Sequence, residues 1–83
     1  MKRVLVTGGL GYIGSHTCVA LRSAGYELVV VDNLCNSKIS VLNRLERVTG
    51  GPIAFTRADV RDFDALRAVF ANHVIDAVIH FAA

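Results

Sequence analysis

Cysteine is scarce, with two in 83 residues. Cys18 and Cys35 make no disulfide framework, and their spacing fits no zinc pattern. Both read as reduced thiols, and no metal site is expected. Charge is sparse as well. Nine Lys+Arg stand against seven Asp+Glu, a net +2, too slight a balance to argue for nucleic acid or a membrane surface as partner. No apolar run approaches the about 18 residues of a membrane span. The opening Met1-Lys2-Arg3-Val4 is charged and then apolar, but Thr7 and the glycines after it break the stretch before a signal peptide is complete. A cytoplasmic protein is therefore expected. The only lysines are Lys2 and Lys38, and neither closes a Gly-x-x-x-x-Gly-Lys-Ser/Thr loop, so ATP-driven phosphoryl chemistry falls away. The Gly-x-Ser-x-Gly nucleophile elbow is also missing.

What remains is an apolar, globular composition, 53% hydrophobic and 19% charged, of a length that allows one domain at most. Its glycines gather early, in Val6-Thr7-Gly8-Gly9-Leu10-Gly11-Tyr12-Ile13-Gly14-Ser15. Gly9, Gly11 and Gly14 fit Gly-x-Gly-x-x-Gly, and Gly8, Gly11 and Gly14 fit Gly-x-x-Gly-x-x-Gly. A residue without a Cβ takes positive φ and lets the backbone approach a ligand closely. A helix that starts just after such a turn aims unpaired N–H groups and a positive dipole end at an anion, here a pyrophosphate. A glycine triplet alone is a weak signal. It gains weight from an apolar strand before it, a helix after it, and an acid about 20 residues on. Asp32 follows Gly14 by 18 positions, at the end of Glu27-Leu28-Val29-Val30-Val31.

The periodicities predict strands over Arg3–Thr7, Glu27–Val31, Ile53–Arg57 and Asp76–Phe81. Helices are predicted over Tyr12–Ala24 and Lys38–Thr49, and a third opens at Asp62 or Asp64 and ends at Asn72-His73. Their inner faces are assigned to Ile13, Thr17, Ala20, Leu21 and Ala24; to Val41, Leu42, Leu45 and Val48; and to Phe63, Leu66, Val69 and Phe70. Ser37 is a candidate cap for the second helix, and Gly50-Gly51-Pro52 stops it. The alternation of four strands and three helices predicts an α/β fold, a Rossmann-type parallel sheet in the order 3-2-1-4. Right-handed crossovers put the first two helices on one face and the third, alone, on the other. The apolar fourth strand then lies at an open edge. With so much sheet left uncovered, residues 1–83 are expected to be the N-terminal piece of a longer protein.

Asp32 is placed to accept hydrogen bonds from the adenosine ribose hydroxyls. A 2′-phosphate there would meet like charge with no Arg at position 33 to compensate, which favours NAD over NADP. Asp59 either reaches the adenine amino group, with Val60 packing the ring, or simply opens the loop before the third helix. His80, beside apolar residues, reads as a packed core histidine and not a catalytic base. His16 and His73 have no partner at ligand spacing. Tyr12 follows the bend and either packs or reaches a phosphate.

Four stretches carry a resemblance to a known family. They are Thr7-Gly8-Gly9-Leu10-Gly11-Tyr12-Ile13-Gly14-Ser15-His16-Thr17, Asp32-Asn33-Leu34-Cys35-Asn36-Ser37, Ala58-Asp59-Val60-Arg61 and Val78-Ile79-His80-Phe81-Ala82-Ala83. Together they resemble the UDP-glucose 4-epimerase family of extended short-chain dehydrogenases/reductases. The resemblance implies that Gly8, Gly11 and Gly14 form the pyrophosphate turn with Tyr12 and Ile13 beside it. It further implies that the stretch Asp32, Asn33, Leu34, Cys35, Asn36 and Ser37 holds the adenosine side, and that Asp59 and Val60 flank adenine. Phe81, Ala82 and Ala83 would line the cofactor toward the nicotinamide; the family often has Gly where Ala83 stands. The implied cofactor is NAD and the implied substrate a UDP-hexose, with UDP-glucose and UDP-galactose interconverted through a 4-keto intermediate in galactose metabolism. A homodimer fits the full-length protein. The family's Tyr-x-x-x-Lys motif is absent, since Tyr12 is followed four on by His16 and Tyr26 by Val30. The 83 residues alone are therefore expected to have no catalytic residue and to turn over no UDP-galactose. The alternatives are the NAD-binding part of a related sugar-nucleotide dehydratase or decarboxylase, and a non-catalytic NAD-binding module.

Overall fold

The structure, a computed structural model, describes residues 2–35 and 37–81. The chain runs β1 (Arg3–Thr7), α1 (Tyr12–Ser23), β2 (Glu27–Asp32), α2 (Ile39–Thr49), β3 (Ala54–Arg57), α3 (Phe63–Asn72) and β4 (Ala77–His80). The strands form one sheet in the order β3-β2-β1-β4. Every neighbouring pair is parallel, with Leu5 opposite Val29 and Val78, and Val31 opposite Thr56. The predicted topology is the one observed.

The unbroken apolar runs of β1 and β2 follow from burial on both faces. Val4, Val6, Leu28 and Val30 point to one side, where they pack with Cys18 of α1 and Leu45 of α2. Leu5, Val29 and Val31 point to the other, against Val69 of α3. The outer strands are less covered. Val78 of β4 is half exposed, with Phe70 and Val74 exposed in and beyond α3.

The predicted inner faces hold in part: Leu21 of α1, Val41, Leu42 and Leu45 of α2, and Leu66 and Val69 of α3 pack inward, and the other assigned positions are turned away to differing degrees. In α1 the buried positions are Gly14 and Cys18, and Ile13 is 65% exposed. Ala20 and Ala24 are exposed as well. The inward stripe is thus rotated by one residue, about 100° of helix. The reason is steric. A Cβ on Gly14 would lie 2.3 Å from the Gly8 carbonyl oxygen, so the helix sits directly on the bend, which no larger residue permits. In α2, Val48 is exposed while Thr49 turns inward and its hydroxyl donates to the Leu45 carbonyl. In α3, Phe63 and Phe70 are exposed, and the Arg67 guanidinium lies over the Phe63 ring at 5.2 Å. A cation over an aromatic face offsets part of that exposure.

The ends obey local rules more closely. Asp62 caps α3 by accepting the Ala65 N–H at 3.1 Å, one of the donors that a first turn leaves unpaired. Gly50 ends α2 in the left-handed region with φ 81°, as a glycine past a helix commonly does. Ser37 does not cap α2. Lys38 holds the cap position without a side-chain bond, and the Ser37 hydroxyl is engaged elsewhere.

Candidate functional site

The β1–α1 connection is a bend in which Gly8, Gly11 and Gly14 have three different reasons. Gly8 has φ 70°, a conformation costly for any residue with a Cβ. Its N–H donates to the Val31 carbonyl at 2.7 Å, which ties the bend to β2. Gly14 is required by contact with the Gly8 carbonyl. Gly11 is required by neither. Its backbone is ordinary, with φ −71° and ψ 175°, and an added Cβ would meet only the Gly8 carbonyl oxygen, at 3.4 Å. The fold has room for a side chain at Gly11, so the absence of one serves the space outside. Gly11 is also the N-cap of α1 and offers no side-chain cap. The first-turn N–H groups behind it are thereby left facing that space.

Asp32 closes β2 beside this bend. It is 7% exposed. One carboxylate oxygen accepts the Leu10 N–H at 3.1 Å. The other accepts the Leu34 N–H at 2.8 Å and the Ser37 hydroxyl at 3.0 Å. The acid therefore stitches the glycine bend to the β2–α2 loop. A carboxylate offers about four acceptor positions, so three donors leave room for one more. Leu34, held by that bond, is non-glycine at φ 61°, and its side chain packs on the α1/α2 side of the core.

Across the cleft, after β3, Asp59 is bound in a fork by Arg61. Asp59 Oδ1 accepts from Arg61 Nε at 3.0 Å and Oδ2 from Nη2 at 2.8 Å, with the Arg61 backbone N–H on Oδ1 at 2.8 Å. These bonds hold the Asp59 carboxyl well below the usual carboxylate range and raise Arg61. A depressed folded-state value means that the pair is intact at neutral pH and is lost only as pH falls below the ordinary aspartate range.

Gly8, Gly11, Asp32, Asn33, Cys35, Ser37, Asp59, Val60 and Phe81 line one cleft of about 380 Å³, together with Val31, Ala58 and Arg61. It opens at the carboxyl ends of the strands, beside the point where the helices change faces between β1 and β4. That is where ligands bind in open α/β sheets. Tyr12, Ile13, Gly14 and Leu34 are not in its lining. Gly14 supports the bend from behind. Tyr12 is 81% exposed and packs on His16, with ring centroids 4.6 Å apart. Asn36, Ala82 and Ala83 lie outside the described residues. A larger groove, about 650 Å³, runs between α1 and α2 and takes in Tyr12, His16, Val41 and Val48. It holds no carboxylate and none of the β3–α3 loop, so it is not the candidate site.

Two residues correct the sequence reading. His80 is exposed and not packed in the core; its Nδ1 is hydrogen-bonded to the buried Thr7 hydroxyl across β4 and β1. Arg61 enters the cleft although no expectation placed it there. The Asp-x-Arg spacing after β3 was the available signal, because a side chain two residues on can fork back onto a carboxylate. Cys18 is buried, and burial pushes its thiol up to about 11. Cys35 is exposed and free. No helix among the described residues is long and apolar enough to cross a membrane.

Comparison with known proteins gives a consistent set of relatives. Residues 4–83 match the NAD dependent epimerase/dehydratase family. A UDP-glucose 4-epimerase of Neisseria meningitidis serogroup B is 55% identical over 82 residues, covering 99% of this chain and 24% of that protein. The crystal structure of a UDP-glucose-4-epimerase from Stenotrophomonas maltophila, with bound NAD and formylated UDP-arabinopyranose, matches with a TM-score of 0.95 and 53% identity, over 100% of this chain and 25% of that one. A UDP-glucose 4-epimerase from Bifidobacterium longum, in complex with NAD+ and UDP, matches with a TM-score of 0.96 and 46% identity, over 99% of this chain and 24% of that one. The chain spans about a quarter of the length of the relatives it matches.

Proposed function

Because the chain belongs to the NAD dependent epimerase/dehydratase family, we propose that it forms the NAD-binding, N-terminal part of a Rossmann domain in a UDP-glucose 4-epimerase. The substrate would be a UDP-hexose, with UDP-glucose and UDP-galactose interconverted through a 4-keto sugar. The same reading puts the protein in the cytoplasm and is compatible with a homodimer. It assigns catalysis and sugar binding to residues outside these 83.

One observation carries the reading. The glycine bend, the acid of β2 and the β3–α3 loop converge on a single cleft at the carboxyl ends of the strands. The residues fit the cofactor there. Gly11 leaves open the space that a pyrophosphate needs, and the first turn of α1 supplies donors and a positive dipole end. Asp32 keeps an acceptor position for a ribose hydroxyl. Val60 and Phe81 give the cleft apolar walls for the ring systems. When bound, NAD supplies the hydride acceptor and donor for C4 of the hexose. The protein residues present in this chain bind and orient it.

Calorimetric titration with NAD and NADP tests this on the polypeptide continued as in its relatives. NAD is expected to bind more tightly. Asp32→Ala is expected to weaken NAD by about tenfold or more, the worth of a hydrogen bond to a charged group, and to narrow the preference over NADP. It should also cost about 1–3 kcal/mol of stability, because the buried Leu10 N–H loses its partner. An unchanged preference would remove Asp32 from the site.

A further inference from the structure

Arg61 is the one cationic side chain lining the cleft among the described residues. A guanidinium beside the adenosine ribose is the usual means of accepting a 2′-phosphate, and arginine is well shaped for it. Position 33 is Asn and offers no guanidinium, but the fold supplies a different arginine to the same cleft. It supplies it already engaged, because Asp59 takes the Nε–Nη2 edge and neutralises the charge. The engagement is local. The two residues are separated by Val60 alone, and Asp59 also accepts the Arg61 backbone N–H, which fixes the turn that makes the fork. With the pair formed, Asp32 is the uncompensated charge of the cleft, and its neighbourhood suits a neutral ribose.

We infer that Asp59 is a specificity-determining residue: by holding Arg61 in a fork, it withholds from a 2′-phosphate the cation that lines the cleft among the described residues. The inference rests on the proposed cofactor site. It adds a second, independent device to the repulsion from Asp32, and that device acts by sequestering a positive charge.

The test is calorimetric titration of NAD and NADP, on the polypeptide continued as in its relatives, for Asp59→Asn, Arg61→Ala and the double variant. Asparagine keeps the shape, and its oxygen still accepts the Arg61 N–H, but the bond from Nη2 is lost and the guanidinium charge is left uncompensated. The readout is the ratio of the two affinities, so any contact of Asp59 with adenine, common to both ligands, cancels. Asp59→Asn is expected to shift the ratio toward NADP by about tenfold, the scale of one charge-assisted hydrogen bond. Arg61→Ala should move the ratio no closer to NADP, because it leaves the Asp59 carboxylate without its partner, and the double variant should return to the starting value. A ratio within about twofold of wild type in an Asp59→Asn protein that binds NAD would overturn the inference while leaving the site intact. A gain that persists in the double variant would overturn it too, since loss of the Asp59 charge alone would then suffice. Failure of the wild-type protein to bind NAD would instead sink the cofactor site, and this inference with it.

Discussion

Valine in place of Gly11 is expected to abolish NAD binding while leaving the fold nearly intact. The two halves of that result have separate causes. On the side of the fold, Gly11 has a backbone that any residue adopts, and a Cβ there meets only a carbonyl oxygen at 3.4 Å. The remaining penalty is that of a poor N-cap, about 1 kcal/mol. On the side of the ligand, a branched side chain fills the space over the first turn of α1. It denies a pyrophosphate the approach on which the helix N–H groups depend. A loss of at least about 100-fold in affinity is expected, equivalent to roughly 2.7 kcal/mol. Titration calorimetry with NAD, beside a thermal melt of the same preparation, separates the two. Undiminished NAD affinity in a folded Gly11→Val protein would mean that no phosphate lies over this turn.

Alanine in place of Gly14 is expected to do the opposite, damaging the fold first. In an ordinary helix the change from glycine to alanine stabilises by up to about 1 kcal/mol. Here the new methyl would sit 2.3 Å from the Gly8 carbonyl oxygen and 3.0 Å from the Gly9 Cα. Both neighbours are backbone, so neither yields as a side chain would. Relief requires α1 to lift off the bend, which disturbs the burial of Cys18 and Leu10 beneath it. Overpacking of this kind costs about 1–3 kcal/mol, so the sign of the usual substitution is expected to reverse. Denaturant titration of the two proteins would check it, and a more stable Gly14→Ala variant would show that the helix does not rest on the bend. Cofactor affinity should fall as a consequence, because Gly8 and Gly11 lie on the same turn. The contrast between Gly11 and Gly14, three residues apart, distinguishes a glycine kept for a ligand from one kept for packing.

Gly8, Gly11 and Gly14 show how far sequence reading reaches. Their spacing after Val4-Leu5-Val6 located the bend, and the interval to Asp32 located its acid. It did not separate their roles, because a missing Cβ looks the same whether the space belongs to a ligand, to a carbonyl or to a positive φ. Ile13 and Thr17 illustrate a second limit. They lie on a plausible apolar stripe, one residue away from the stripe that is buried. Hydropathy favoured the isoleucine; contact with backbone favoured Gly14, which carries no hydropathy signal. Ser37 is a third case. Its position before α2 suggested a cap, but Asp32 is a charged acceptor within reach and takes the hydroxyl.

From its sequence alone this chain was determined to be a parallel α/β sheet in the order 3-2-1-4, with a glycine bend after the first strand and an acid at the end of the second. Those features follow from local periodicity, turn chemistry and the handedness of crossovers, all of which act over a few residues or a single connection. Only the tertiary structure decided how α1 is turned on the glycine bend, what the Asp32 carboxylate holds, that His80 bonds Thr7 from an exposed position, and that Arg61 enters the cleft in the grip of Asp59. These depend on how backbones approach one another and on which donors reach which acceptors across the sheet. Such distances arise when separate elements are packed together, and apart from the local Asp59–Arg61 fork no spacing along the chain encodes them.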